Sequence, residues 1–212
     1  MKQAIEKNTK VLALFAIACT TMVSLVSWLT KDTIIEQQEL QLLNTLHQVI
    51  PPERLDNNLS QDCQFISDAE LLGSKEPHIA YLARKDNLPV AVALTTTAPD
   101  GYNGRIEVLV AINVDGTVNG VRILNHQETP GLGDKIEIRK DDWVYSFEGK
   151  TIAGPEDSRW AVKKDGGVFD QFTGATITPR AVVKAVKNAL VFFEKNKTSL
   201  LANTESCRGS NE

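Results

Sequence analysis

Cysteine is scarce in this 212-residue chain, which has only Cys19, Cys63 and Cys207. Their wide spacing excludes a zinc or iron–sulfur site built by the chain itself, and three cysteines are too few for a disulfide scaffold. The chain also lacks an excess of positive charge, since its formal net charge is -4. We therefore expect no metal site and no nucleic-acid partner.

The chain also lacks any charged residue between Val11 and Leu29. A helix of that length approaches the roughly 30 Å of bilayer hydrocarbon, which predicts one membrane crossing. Lys2, Lys7 and Lys10 precede this run, whereas Lys31 is the lone lysine among several carboxylates just after it. The positive-inside rule then predicts a cytoplasmic N-terminus and an exported remainder.

A cleaved signal peptide is the main alternative to a membrane anchor. Its apolar region would be shorter, about 7 to 15 residues, and a small-x-small cleavage site would follow it. No such site occurs around Ser27, Trp28 and Leu29. A lipoprotein that used Cys19 is a second alternative, but the apolar run continues well beyond that cysteine. We therefore interpret the run as an uncleaved anchor.

The exported part shows helical spacing until Pro51 and Pro52, and then a series of short strand-like runs. These runs cover 78–84, 88–97, 105–114 and 117–124, and the turn signals are Asp86-Asn87, Asp100-Gly101 and Asp115-Gly116. Tight turns between consecutive strands predict an antiparallel sheet. A helical segment is expected over 134–147. The fold class is therefore α+β, with a single transmembrane helix and one exported domain.

A final helix follows residue 178, where Thr178 is suited to cap it and Pro179 to occupy its first position. Its apolar stripe consists of Ala181, Val182, Ala185, Val186, Ala189, Leu190 and Phe193. The chain after Lys195 is polar, and we expect it to be frayed.

The run Asp170-Gln-Phe-Thr-Gly-Ala-Thr-Ile-Thr-Pro179 lies just before this helix. Backbone amides at a helix start, with the positive end of the helix dipole, form a natural phosphate site. Gly174 allows an anion to approach the backbone, and Thr173, Thr176 and Thr178 could each hydrogen-bond a phosphate or be esterified by one. An ordinary turn and helix cap is the structural alternative.

A second run, His126-Gln-Glu-Thr-Pro-Gly-Leu-Gly-Asp134, has the composition of a tight loop between a strand and a helix. Its glycines, Gly131 and Gly133, would also allow the backbone to lie against a flat ring. The chain has no Gly-x-Gly-x-x-Gly fingerprint, which argues against an independent reductase that binds a nicotinamide cofactor.

These two runs resemble known motifs. DQFTGAT is similar to the flavinylation motif of the Rnf (Rsx) electron transport complexes and of the C subunit of sodium-pumping NADH:quinone oxidoreductases, and ETPGLG resembles a signature of the Rnf G subunit. The stretches TAPDGYNG and WAVKKDGG fit that subunit in order as well. The resemblance implies covalent FMN on Thr176, contacts from Thr173, Gly174, Ala175 and Thr178, and recognition of Asp170 by a flavin transferase. In the second loop it implies cofactor contacts from Glu128, Thr129, Gly131, Leu132 and Gly133.

The resemblance further implies a redox subunit of an ion-translocating complex in the bacterial inner membrane, with partner subunits and no substrate turnover of its own. We expect a cytoplasmic N-terminus over 1–10, a transmembrane helix over 11–29, a helical connector over 30–60, a periplasmic FMN-binding domain over 61–200 and a polar tail over 201–212. Two alternatives are an independent exported flavin reductase and a non-redox exported scaffold. Cys63 and Cys207 share the exported side, so they are candidates for a disulfide.

Overall fold

The computed structural model describes residues 2–202 and Cys207, except for the side chains of residues 2–7, 32, 35, 36 and 39. A long helix, α1, spans Lys2–Val49, and its segment Asn8–Lys31 is long and apolar enough to cross a membrane. It is the one such helix among the described residues. The chain divides between Asn44 and Thr45 into two compact units. The apolar run therefore forms one uninterrupted helix, which ends just before Pro51 as the two prolines predict.

The second unit is built on a five-stranded antiparallel sheet, so the predicted sheet is confirmed. Its spatial order follows the sequence: β1 (Cys63–Ile66), β2 (His78–Lys85), β3 (Leu88–Gly101), β4 (Gly104–Asn113) and β5 (Val118–Asn125). The sequence did not predict β1, which is four residues long and pairs only with β2 at the edge of the sheet. A strand so short has too few residues to show a period.

The hairpin turns follow the sequence signals in two of three cases. Asp86 and Asn87 both have positive φ, which is the conformation that a two-residue type I′ turn requires. The prediction of a turn at Asp100-Gly101 is wrong, because β3 continues to Gly101 and pairs it with Gly104. The tip of this hairpin consists of Tyr102 and Asn103.

The last helix, α2, spans Ile177–Leu201 and packs against β3 and β4. All seven residues of the predicted apolar stripe are buried. Each buried valine, leucine or phenylalanine of such a stripe stabilises the fold by about 1.5–3 kcal/mol relative to exposure. The prediction of fraying after Lys195 is wrong, since the helix continues for more than a turn and buries Leu200. Apart from Leu201, Ala202 and Cys207, the predicted polar tail lies outside the described residues.

The segment between the sheet and α2 is less regular than the sequence predicts. Instead of one helix over 134–147, two short 3₁₀ helices span Gly133–Ile136 and Asp142–Phe147. The break occurs because Asp141 is extended and caps the second helix by accepting a hydrogen bond from the Trp143 N–H at 3.0 Å. With the segment broken at this point, the Trp143 side chain is buried in the core.

An aromatic cluster under α2 fixes the approach to that helix. Its members are Trp143, Phe147, Trp160, Phe169 and Phe172, and all five are buried in the core. The Trp143 and Phe172 rings meet edge to face with centroids 5.2 Å apart, and the Trp143 indole N–H donates to the Asp170 carbonyl at 2.8 Å. The chain segment just before α2 is therefore anchored in the core at Asp170 and Phe172.

A disulfide joins Cys63 in β1 to Cys207, with the two Cα atoms 5.3 Å apart. The Cys207 N–H also donates to the Cys63 carbonyl at 3.0 Å. Because β1 lies at the edge of the sheet, this contact covers part of an edge that would otherwise be open to pairing. The oxidation state of the pair in the cell stays a prediction.

Candidate functional site

A cavity of about 260 Å³ lies where three chain segments meet. The segments are the tip of the β3–β4 hairpin, the loop after β5 and the turn that leads into α2. The residues lining it are Tyr102, Glu128, Thr129, Leu132, Gly133, Gly174, Ala175, Thr176, Ile177 and Thr178. The two sequence motifs, about 50 residues apart in the chain, thus both contribute to the lining of one cavity.

The turn before α2 is a β-turn closed by a hydrogen bond from the Ala175 N–H to the Phe172 carbonyl at 3.1 Å. Gly174 has φ +80° at the third position of this turn, a conformation that side chains with a Cβ rarely adopt. A Cβ built on Gly174 would lie 3.7 Å from the Leu132 side chain, so the turn and the loop after β5 are in contact here.

Thr176 is the N-cap residue of α2, yet its side chain makes no capping hydrogen bond. The prediction that Thr178 caps the helix and Pro179 opens it is wrong, because the helix begins at Ile177. Thr178 is buried inside the first turn, and its hydroxyl donates a hydrogen bond to the Glu128 carboxylate. The half-buried Thr176 hydroxyl is therefore left available at the cavity.

The start of α2 provides donors for an anion. Ile177 and Thr178 occupy the first two helical positions. Their backbone N–H groups have no acceptor within the helix, because the helix has no earlier turn to supply a carbonyl. Pro179 follows without an N–H, and the first turn contains no acidic residue. The positive end of the helix dipole is thus not neutralised from within its own first turn, which favours a phosphate there.

Glu128 connects the three segments of the site. Its side chain is only 5% exposed, and one carboxylate oxygen accepts the Asn103 N–H of the hairpin tip at 3.1 Å. The other oxygen accepts the Thr178 hydroxyl of α2. A Cβ on Gly133 would lie within 3 Å of both Glu128 and Thr178, so only glycine fits at that position without displacing them.

His126 and Glu137 brace the same loop from behind. The Nδ1 atom of His126 accepts the Glu128 N–H at 3.0 Å, and its Nε2 atom lies 2.8 Å from a Glu137 carboxylate oxygen. These two contacts assign the imidazole proton to Nε2. The hydrogen bond from His126, followed by one from Arg139, holds the pKa of Glu137 below its usual value.

Asp170 lies outside the cavity and is exposed. Its carboxylate is 2.5 Å from the Lys163 ammonium, and its carbonyl accepts the Trp143 indole N–H described above. The aromatic cluster therefore fixes the backbone of this residue, while its side chain stays at the surface.

The structure brings most of the predicted site residues together. Eight line the cavity, namely Glu128, Thr129, Leu132, Gly133, Gly174, Ala175, Thr176 and Thr178, whereas Thr173 and Gly131 do not. A Cβ on Gly131 would meet only open space, although its φ of +76° still favours glycine. Sequence reasoning missed Tyr102 and Ile177 as lining residues. A lone tyrosine inside the polar turn TAPDGYNG was the available signal for the first of them.

Comparison with known families agrees with this geometry. The FMN-binding domain family matches residues 101–191, which include every lining residue of the cavity. The RnfG N-terminal region matches residues 1–49, which are Met1 and the whole of α1. The fold and site therefore define an FMN-binding domain that follows an N-terminal apolar helix in the sequence.

Full-length relatives identify the family more closely. The G subunit of the ion-translocating oxidoreductase complex from Shewanella loihica is 56% identical over 98% of both chains. The corresponding protein from Vibrio atlanticus is 51% identical over 99% of this chain and 100% of its own, and that from Erwinia tasmaniensis is 50% identical over 100% of both. The chain belongs to the family of G subunits of ion-translocating oxidoreductase complexes, and the resemblance seen in the sequence is confirmed.

Proposed function

We propose that this chain is an electron-transfer subunit that carries FMN covalently, through a phosphoester to the Thr176 hydroxyl. The single observation that supports this assignment best is the position of Thr176 at the helix start, where its hydroxyl faces the cavity without a capping bond. The Thr178 hydroxyl already donates a hydrogen bond to Glu128, and Thr173 does not line the cavity. Thr176 is thus the threonine of the motif that is both accessible and uncommitted.

The surroundings of Thr176 fit an FMN phosphate and ring. The Ile177 and Thr178 amides can donate to phosphate oxygens, and Gly174 allows close approach to the backbone. The cavity extends from there to Leu132, Ile177 and Tyr102, whose apolar and aromatic surfaces suit a flat heterocycle. Bound flavin supplies the redox chemistry, while the protein fixes its position and excludes water.

Attachment requires help from a separate flavin transferase. A threonine hydroxyl is a weak nucleophile at its free pKa and needs activation by a base. Among the described residues no basic group is hydrogen-bonded to the Thr176 hydroxyl. Asp170, which is exposed and precedes Thr176 in the same motif, is our proposed recognition residue for that enzyme.

The membrane arrangement is part of the proposal. The apolar helix would anchor the chain in the inner membrane, with Lys2, Lys7 and Lys10 on the cytoplasmic side and residues 61–200 in the periplasm. The relatives are named as subunits of a complex, and we propose partner subunits for this chain too. The isolated chain would carry electrons without turning over a substrate.

In-gel fluorescence tests the linkage. The full chain is produced with a flavin transferase, denatured and separated by electrophoresis, so that only covalent flavin remains on the band. We expect a fluorescent band for the wild type and for Thr178→Ala, and a dark band for Thr176→Ala. Fluorescence that persists in Thr176→Ala would reject the assignment, and a dark wild-type band would reject covalent attachment.

A further inference from the structure

Tyr102 is a large aromatic residue that the fold leaves exposed. It lies at the tip of the β3–β4 hairpin, is 67% exposed and lines the same cavity as Thr176 and Leu132. Its hydroxyl has no hydrogen-bond partner among the residues that the structure describes. Large aromatic rings normally contribute to stability by being buried, so this ring contributes little to the fold.

The backbone on both sides of Tyr102 is nevertheless fixed. Asn103 donates its N–H to Glu128 at 3.1 Å and its side-chain amide to the Gln127 carbonyl at 2.6 Å. On the other side, a Cβ on Gly101 would come within 3 Å of both Gly104 and Glu128, so the hairpin lies tightly against the loop. The tyrosine is therefore exposed but held at the mouth of the cavity.

We infer that Tyr102 contacts the flavin ring directly and covers one of its faces. This inference rests on the proposed attachment of FMN to Thr176, because a phosphate there directs the ring into the cavity that Tyr102 lines. Leu132 and Ile177 line the same cavity with exposed apolar side chains, which suit the edges and the other face of a flat ring. Stacking between aromatic rings favours such an arrangement.

Flavin fluorescence reports this contact. A phenol in contact with an excited flavin donates one electron and takes it back, so emission is lost without net chemistry. A phenyl ring stacks equally well but is a poor electron donor, whereas an indole is a good one. Tyr102→Leu and Tyr102→Phe should therefore raise the emission of the folded, covalently loaded chain several-fold, and Tyr102→Trp should keep it low.

Tyr145 provides the matched control. It is 42% exposed, does not line the cavity and packs against the Arg122 guanidinium, so Tyr145→Leu should leave emission unchanged. Each sample is measured folded and after unfolding in denaturant, and the unfolded emission measures how much flavin is attached. Because Tyr102 is exposed, its variants should unfold at the wild-type temperature.

The outcomes separate the inference from the proposed function. Equal folded emission per attached flavin in the wild type and Tyr102→Leu would overturn the contact while leaving attachment at Thr176 intact. Strong emission in Tyr102→Trp would overturn it as well. A wild-type band without covalent flavin would overturn the attachment first, and the contact with it. Low emission restricted to the tyrosine and tryptophan forms would establish Tyr102 as the residue that covers the flavin.

Discussion

Replacing Thr178 with valine removes one hydroxyl from the centre of the site and changes little else. Valine has nearly the same shape, but it leaves a carboxylate oxygen of the buried Glu128 without its donor. An acceptor deprived of its partner in such surroundings costs about 1–3 kcal/mol. For a domain of this size, a loss of about 2 kcal/mol lowers Tm by about 4–8 °C.

Thermal unfolding of the full chain in detergent, followed by circular dichroism, measures this loss. Thr178→Ser is the matched variant, because it keeps the hydroxyl and gives up one methyl group, worth about 0.8 kcal/mol. Thr173→Ala, at an exposed position of the same motif, should change stability by less than about 0.5 kcal/mol. If Thr178→Val is as stable as Thr173→Ala, the bond between Thr178 and Glu128 does not hold the site together.

Three further predictions follow from other parts of the domain. The pKa of Glu137 is lowered by His126 and Arg139, so its stabilisation is complete above its usual value of 4.5 and is lost as the pH falls through the folded-state pKa. Glu137→Gln should therefore flatten the acid side of a plot of Tm against pH, and an unchanged acid side would contradict this. Asp170→Asn should lower the flavinylated fraction without changing Tm, whereas Asp165→Asn, which breaks another exposed ion pair, that with Arg180, should leave that fraction intact. Equal losses would refute specific recognition of Asp170. Thiol labelling of denatured, unreduced chain should find Cys19 alone, and removing the Cys63–Cys207 bridge should cost about 2–4 kcal/mol. Labelling of all three cysteines would exclude the disulfide.

The sheet and α2 could be predicted because their signals are local. Asp86 and Asn87 tolerate positive φ, and the apolar stripe of α2 repeats with the helical period. The strand β1 could not be predicted, because Cys63–Ile66 is stabilised as a strand by pairing with β2. The end of α2 was misjudged for the same kind of reason, since Leu200 is buried by the tertiary structure.

The motif residues of the site were predictable, but their division of roles was not. Thr176 and Thr178 are both plausible caps in the sequence, and local rules favour the threonine before Pro179. Glu128, 50 residues before Thr178 in the chain, accepts the hydrogen bond from the Thr178 hydroxyl and thereby separates the roles of the two threonines. Tyr102 was missed because its place at the cavity depends on the hairpin folding onto the loop after β5.

Peptide mass spectrometry of the full chain, purified from a host with its flavin transferase, tests covalent attachment at Thr176 most directly. We predict one modified peptide, heavier by FMN less one water, with fragment ions that assign the addition to Thr176. Thr178→Val should give the same modified peptide, because the Thr176 hydroxyl does not depend on the bond to Glu128. An addition on Thr173 or Thr178, or an unmodified peptide from wild-type chain, would contradict the account.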